Sequence, residues 1–304
     1  MLESRASAHG RRIRPTLGAR PASLREVRTI PVAKIPVRAV LERYEIVPRK
    51  RFGQNFLHDP AVCARIVATA DVSAGTEVLE VGPGLGALTV PLLALGARVT
   101  AVEVDRRVAN YLDDAFADEP GFRLHRGDFL DLDLATFTPE ARVLVANMPY
   151  SITGPILSGV IEHAARWDRC VLMVQKEVGT RLTASAGGKA LGAPAVLLRL
   201  LYRIERCFDV GRGAFLPPPD VVSVVLRLTR IPGATLPPGL RDAVNLAYRQ
   251  RRKVLRKTLA GVLASEETLV SVLADLGQPP GARPEDLEPE DWPRLWERIH
   301  GEAR

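Results

Sequence analysis

The chain has 304 residues, 46% of them hydrophobic and 25% charged, with a formal net charge of +7. That length suits one large domain or two modest ones, and the positive excess points toward an anionic partner without proving one. Three cysteines (Cys63, Cys170, Cys207) lie far apart with no C-x-x-C pair, no His/Cys cluster has metal-ligand spacing, and no apolar run reaches the roughly 18 residues of a spanning helix. A disulfide scaffold, a structural metal and a membrane span are therefore not expected, and all three thiols are expected to be reduced and buried.

Residues 1–36 stand apart. They hold Arg5, Arg11, Arg12, Arg14, Arg20, Arg25, Arg28 and Lys34 against Glu3 and Glu26, and prolines 15, 21, 31 and 36 interrupt them. No hydrophobic periodicity runs through them, so a basic, disordered extension is expected. Three readings fit it: an arm that touches RNA, an organelle transit peptide, or an extension without a specific role.

From Val37 the pattern becomes that of a folded domain. "RAVLERYEI" reads as a short helix, and "DPAVCARIVATA" (59–70) as a helix capped by Asp59 with Pro60 in its first turn. Short apolar strands then alternate with helices. The strands are 76–81, 98–104, 122–128, 142–147 and 170–175; the helices lie near 86–95, 106–117, 155–166 and 176–184. Such alternation predicts an α/β fold whose parallel sheet is covered on both faces. "LYRIERCF" (201–208) and "VVSVVLRLT" (221–229) have no long helix between them and are expected to close one edge as an antiparallel pair, for about seven strands in all. The Pro/Gly-rich stretch 231–239 reads as a linker. Beyond it, 240–263, 265–277 and 288–302 are helical in pattern. The expected division is an extension (1–36), a Rossmann-like domain (37–230), the linker (231–239) and a small all-α domain (240–304).

"EVGPGLGAL" (80–88) follows the first of these strands and opens a helix. Gly82, Gly84 and Gly86 allow a tight turn and close backbone approach. The spacing is G-x-G-x-G, not that of the dinucleotide fingerprint, and Pro83 removes an N–H that a pyrophosphate would use. Glu103 ends the next strand, 21 residues after Gly82, where an acid can bind both hydroxyls of a ribose. A cofactor with a ribose and no phosphate fits that combination: S-adenosylmethionine. Asp128, at the third consecutive strand end, can accept from the exocyclic amine of its adenine.

The fourth strand ends in "NMPYSI" (147–152), beside the same crevice. An adenine N6 is a poor nucleophile because its lone pair is delocalised into the ring. If the Asn147 side-chain oxygen and the Met148 carbonyl accept its two N–H bonds, the nitrogen is held toward a tetrahedral geometry. Tyr150 can stack on the base. Catalysis by this arrangement rests on positioning and electrostatics and needs no strong general base.

These residues occur with "RFGQNFL" (51–57), "VEVD" (102–105), "GDFLDLD" (127–133), "VQKEV" (174–178), "GAFLPPPDVVSVVLRL" (213–228), "RRKVLRKTL" (251–259) and "RPEDL" (283–287). As a set they resemble the rRNA adenine N6,N6-dimethyltransferases of the KsgA small-subunit type, from about Val37 to the C-terminus. The resemblance implies a seven-stranded S-adenosylmethionine-dependent methyltransferase domain with a small helical domain. It implies cofactor contacts at Asn55, Leu57, Gly82, Glu103, Asp128 and Asn147, and a target base held by Asn147 and Tyr150. Phe215, before the triple proline, is a candidate for stacking on the other face of the base, or else a core aromatic.

Four positions depart from the family pattern. Ser151 stands where Asn is frequent, Met148 replaces Leu or Ile, and Asp220 replaces Lys. "KALGAP" (189–194) lacks the usual Tyr. Arg249, Arg251, Arg252, Lys253, Arg256 and Lys257 are expected on one helix as a phosphate-docking face, with Arg251 and Arg252 as candidate substrate-binding residues. The target base must be unpaired or flipped out to reach the pocket. The expected function is dimethylation of two adjacent adenines near the 3′ end of small-subunit rRNA by a cytoplasmic monomer. Two alternatives stand beside it: a large-subunit dimethyltransferase of the macrolide-resistance type, and a non-catalytic ribosome-assembly or transcription factor of the same fold.

Overall fold

The structure, a computed structural model, describes residues 36–49, 53–134, 136–148, 152–188, 190–262 and 265–301. The basic extension, but for Pro36, and Tyr150 lie outside the described residues. Helix α1 (Val37–Arg43) precedes strand β1 (Phe56–Leu57) and helix α2 (Pro60–Ala70). Asp59 caps α2 by accepting from the N–H groups of Ala61 and Val62, and Pro60 sits where its missing N–H leaves nothing unpaired.

Strand and helix then alternate as β2 (Glu77–Val81), α3 (Thr89–Ala94), β3 (Arg98–Glu103), α4 (Arg106–Ala115), β4 (Phe122–Arg126), β5 (Val143–Asn147), α5 (Thr153–Glu162), β6 (Arg169–Gln175) and α6 (Lys176–Leu182). There follow α7 (Ala193–Leu201), β7 (Tyr202–Val210), β8 (Phe215–Leu216) and β9 (Ser223–Arg230). Among the described residues one sheet has seven strands in the order β4-β3-β2-β5-β6-β9-β7. Its first five strands are parallel, and β9 and β7 join antiparallel at the end, as the sequence predicts.

Both faces of the sheet are covered, which is why its central strands read as almost unbroken apolar runs. Val78, Val145, Val171 and Met173 pack with Cys63, Ile66 and Val67 of α2. Leu79, Leu144, Leu172 and Leu226 pack on the other side with Ile156 and Val160 of α5 and Val196 and Leu198 of α7. Helix α7 was not anticipated. Its sequence is apolar on almost every side, so no polar face marked its period, and six of its nine residues are buried.

The C-terminal helices are α8 (Leu240–Arg249), α9 (Leu255–Thr258), α10 (Glu266–Asp275) and α11 (Asp291–Gly301). Their apolar residues Val244, Leu255, Leu269 and Trp292 belong to the same continuous hydrophobic cluster as Leu144 and Leu198. The segment 231–239 is fastened at both ends: the Arg230 guanidinium donates to the carbonyls of Leu201 and Ala234, and Trp296 Nε1 donates to Pro238 O at 2.8 Å.

Two expectations are corrected. The cationic run does not lie on one helix, because α8 stops at Arg249 and a turn spans 250–253. A straight continuation would carry Arg251 onto the line of Val244 and Ala247, both buried. The turn leaves Arg251, Arg252 and Lys253 exposed. The Leu255 N–H then bonds Ala282 O at 2.8 Å, and Leu255 and Leu259 enter the core fully. Cys207 is also exposed, unlike the buried Cys63 and Cys170. It lies on edge strand β7, where the register slips between Arg206 and Phe208.

Candidate cofactor and active site

Strands β2, β3 and β4 step outward to one edge, and β5 returns to the opposite side of β2. The connections diverge at the carboxyl ends of β2 and β5, and this switch in order opens a crevice there. Register fixes what faces it. Val81 pairs with both Val102 and Ala146, so Gly82, Glu103 and Asn147 stand abreast. Glu103 pairs with Arg126, and Gly127 N–H bonds Glu103 O at 2.9 Å, which brings Asp128 to the same rim.

The glycine loop bends as its residues permit. Gly82, Gly84 and Gly86 have φ of +68°, +55° and +83°. A side chain on Gly84 would begin 3.3 Å from the Phe56 ring, and one on Gly86 would begin 3.0 Å from the Phe116 ring. Helix α3 starts only at Thr89, later than expected, because the positive φ of Gly86 is incompatible with a helical turn.

Two acids lie beneath and beside the loop. Glu80 is 1% exposed and accepts from Thr89 Oγ1 at 2.7 Å. Burial pushes its carboxyl up to about 7; the Thr89 bond opposes that shift and the neighbouring Glu103 charge adds to it. Glu103 is buried too. Burial also raises it to about 7, against the pull of the Asp105 N–H, which donates to Glu103 Oε1 at 2.9 Å. Asp105 in turn caps α4 and accepts from Gln54 Nε2 at 3.0 Å. That bond ties the segment before β1 to the acid-bearing end of β3.

A cleft with about 930 Å³ of empty space, part of it open to solvent, joins these elements. All six residues expected to touch a cofactor line it: Asn55, Leu57, Gly82, Glu103, Asp128 and Asn147. Asp128 Oδ1 caps a short turn by accepting from Leu130 N–H at 2.9 Å. Asn55 is held by its amide donating to Gly53 O at 3.1 Å. Met148 lines the cleft as well, with its N–H bonded to Met173 O at 3.1 Å. Phe215 is 3% exposed and pairs with Leu57 across the β1–β8 ladder, so it is both core and cleft wall. Arg251 and Arg252 are not in the cleft; they sit on the C-terminal turn.

Gln54, Phe56 and Glu80 also line the cleft and were not assigned to the site from sequence. Glu80 stands in the quoted glycine motif, and its burial beneath Thr89 is the missing information. Gln54 precedes, and Phe56 opens, a two-residue strand with no periodicity to read.

The profile of the family described as "Ribosomal RNA adenine dimethylase" matches residues 47–288. The chain belongs to that family. A Synechococcus protein named "Ribosomal RNA small subunit methyltransferase A" is 45% identical over 256 residues, covering 81% of this chain and 90% of its own. The protein of that name from Pseudomonas putida is 38% identical, covering 85% of this chain and 97% of its own. Among solved structures, a dimethyladenosine transferase from Plasmodium falciparum superposes with a TM-score of 0.68 at 24% identity, over 79% of this chain and 95% of that one. The 23S rRNA methyltransferase ErmE superposes with a TM-score of 0.65 at 28% identity, over 81% and 99%.

The family's cofactor, S-adenosylmethionine, fits the residues present. Glu103 offers buried carboxylate oxygens where a ribose can donate two hydroxyls, and Asp128 offers an acceptor for an adenine amine. The loop beside them carries Pro83 in place of a phosphate-binding N–H. Among the described residues, no group of three or more His, Cys, Asp or Glu could hold a metal ion, and no helix is long and apolar enough to cross a membrane.

Proposed function

We propose that this chain dimethylates N6 of two adjacent adenines near the 3′ end of the small-subunit rRNA. The observation that carries the reading is the register that sets Asn147 abreast of Gly82 and Glu103 across the switch point. A base acceptor and a cofactor site thereby share one cleft. Bound S-adenosylmethionine supplies a methyl group on an electrophilic sulfonium. The residues of the chain supply the positioning. The Asn147 side-chain oxygen and the Met148 carbonyl accept hydrogen bonds from the N6 amino group and turn its lone pair out of conjugation; as each methyl group arrives the nitrogen becomes acidic and loses one proton to solvent. Tyr150 stacks on the base and Phe215 flanks it. Glu103 orients the cofactor's ribose, Asp128 its adenine amine, and Asn55, Leu57 and Gly82 complete its walls.

Relatives named for the small subunit, at 38–45% identity, favour that substrate over the large subunit of the ErmE protein at 28%. Retention of Glu103, Asp128 and Asn147 in one cleft favours an active enzyme over a non-catalytic factor. The helical part from residue 240, joined by the 231–239 linker, serves RNA docking through Arg251 and Arg252. The enzyme acts on immature small subunits, in the bacterial cytoplasm and as a monomer.

The test is incubation with labelled S-adenosylmethionine and small subunits that lack the modification, followed by mapping of modified bases. Dimethyladenine at two neighbouring 3′-end adenines, lost with Asn147→Ala, is the expected result. Label on large-subunit RNA would replace the substrate assignment. Subunit binding without label would replace the catalytic reading.

A further inference from the structure

The "RPEDL" segment (283–287) and Ala282 before it have no part in the cleft, yet they hold the base of the basic turn on both sides. Tyr248, near the end of α8, donates its hydroxyl to Pro284 O at 3.0 Å. Just after the turn, Leu255 N–H bonds Ala282 O at 2.8 Å. The segment is itself rigid, with Arg283 N–H bonded to Asp286 Oδ2 at 2.7 Å. Its far side reaches the methyltransferase domain, where Gly187 N–H, in the loop between α6 and α7, bonds Glu285 O at 2.8 Å.

Glu285 is the member whose side chain faces the turn. Its carboxylate is only 15% exposed, and its Oε2 is buried without a hydrogen-bond donor. The Arg251 Nε lies 3.8 Å from that oxygen, and the Arg251 side chain is 46% exposed. A buried carboxylate without a counter-charge is costly, which favours keeping the half-exposed Arg251 side chain beside Glu285.

We propose that Glu285 is a positioning residue for the RNA substrate. Through Arg251 it fixes the basic turn against the Gly187 loop, and so sets where docked phosphates lie relative to the cleft. This rests on the docking role proposed above for Arg251.

The sign of the effect separates this from simple electrostatics. Removing an acid beside a cationic turn should strengthen RNA binding if only charge matters. Loss of a positioning contact should weaken it. The experiment measures kcat and KM for small subunits, S-adenosylmethionine affinity and thermal unfolding for Glu285→Gln, Arg251→Gln and the double variant. Glu285→Gln is expected to raise KM about tenfold, the equivalent of about 1.4 kcal/mol, with kcat and cofactor affinity unchanged. The double variant should be no worse than Arg251→Gln alone, since the two act through one contact. An unchanged or lowered KM for Glu285→Gln, while Arg251→Gln raises KM, overturns the positioning role alone. An unchanged KM for Arg251→Gln removes the docking reading itself. Should Glu285→Gln fail to fold, Tyr248→Phe removes an independent strut of the same brace. It should raise KM by a smaller factor, and an unchanged KM there overturns the proposal.

Discussion

Thr89 Oγ1 donates a 2.7 Å hydrogen bond to Glu80 Oε2, and both side chains are buried. The bond joins the first residue of α3 to the carboxyl end of β2 beneath the glycine loop. Thr89→Val keeps the shape and removes the donor, leaving a buried carboxylate oxygen unpaired. We expect a loss of about 1–3 kcal/mol. The loss should depend on pH. Glu80 has a folded pKa near 7 against an ordinary 4.5, so its burial favours the protonated state, and the folding cost of its charge grows as pH rises from about 4.5 to 7. The Thr89 bond offsets that cost and lowers the folded pKa. Denaturant unfolding of wild type and Thr89→Val should therefore differ more at pH 8.5 than at pH 5.5; equal differences would mean that Glu80 does not titrate there.

Cofactor binding should release a proton. In the proposed binding mode ribose hydroxyls donate to an ionised Glu103, whose burial raises its carboxyl to about 7 before anything binds. Below that value a proton must leave first. Affinity for S-adenosylmethionine should thus be flat above about pH 8 and fall toward tenfold per unit below 7. Calorimetry in buffers of different ionisation enthalpy reads the proton directly. Glu103→Gln should weaken binding by about 1.5–3 kcal/mol, as for hydrogen bonds to a charged group, and abolish the pH dependence. A slope that persists in the variant would assign the titration to another group.

Gly179 of α6 packs closely against the sheet. A methyl group placed there would collide with Val224 Cγ1 on β9, and Leu226 Cδ2 lies 3.8 Å away. Gly179→Ala should destabilise the fold by about 1–3 kcal/mol through overpacking, despite the better helix propensity of alanine. Val224→Ala in the same chain should recover part of that loss. A neutral Gly179→Ala, measured by chemical denaturation, would show that α6 can retreat freely.

Arg251→Glu with Arg252→Glu should weaken small-subunit binding and reduce the dependence of log K on log salt by about 2, since the two proposed phosphate contacts are removed. Turnover at saturating subunit should hold, because neither residue lines the cleft. An unaltered salt slope from filter binding at several ionic strengths would place the RNA elsewhere.

The sheet was legible because its strands carry buried apolar runs and end in residues of distinct chemistry. Glu103, Asp128 and Asn147 could be placed at strand ends without coordinates, and parallel register then made them neighbours. Other features had no such signal. Strand β1 and its partner β8 are two residues each, too short for alternation to show. Helix α7 is apolar nearly all round. The break after Arg249 hides in a run of good helix formers and is decided by what Arg251 would have to bury. Glu285 gains its meaning only from Arg251 and Gly187, which lie far from it in sequence.

The β1–β8 pair has a bearing on turnover. Dimethylating two bases consumes four cofactors, so the spent one must leave and a fresh one enter between transfers. The strip from Gly53 to Leu57 forms one wall of the cleft, held by a two-residue ladder, the Gln54–Asp105 bond and local packing. Leu57 also packs with Val78 and Val145 of the seven-stranded sheet, and Phe56 packs with Leu85 of the glycine loop. Because the Gln54 side chain reaches the strip's neighbour Asp105 and not the core, Gln54→Ala is expected to shorten cofactor dwell time more than it lowers global stability.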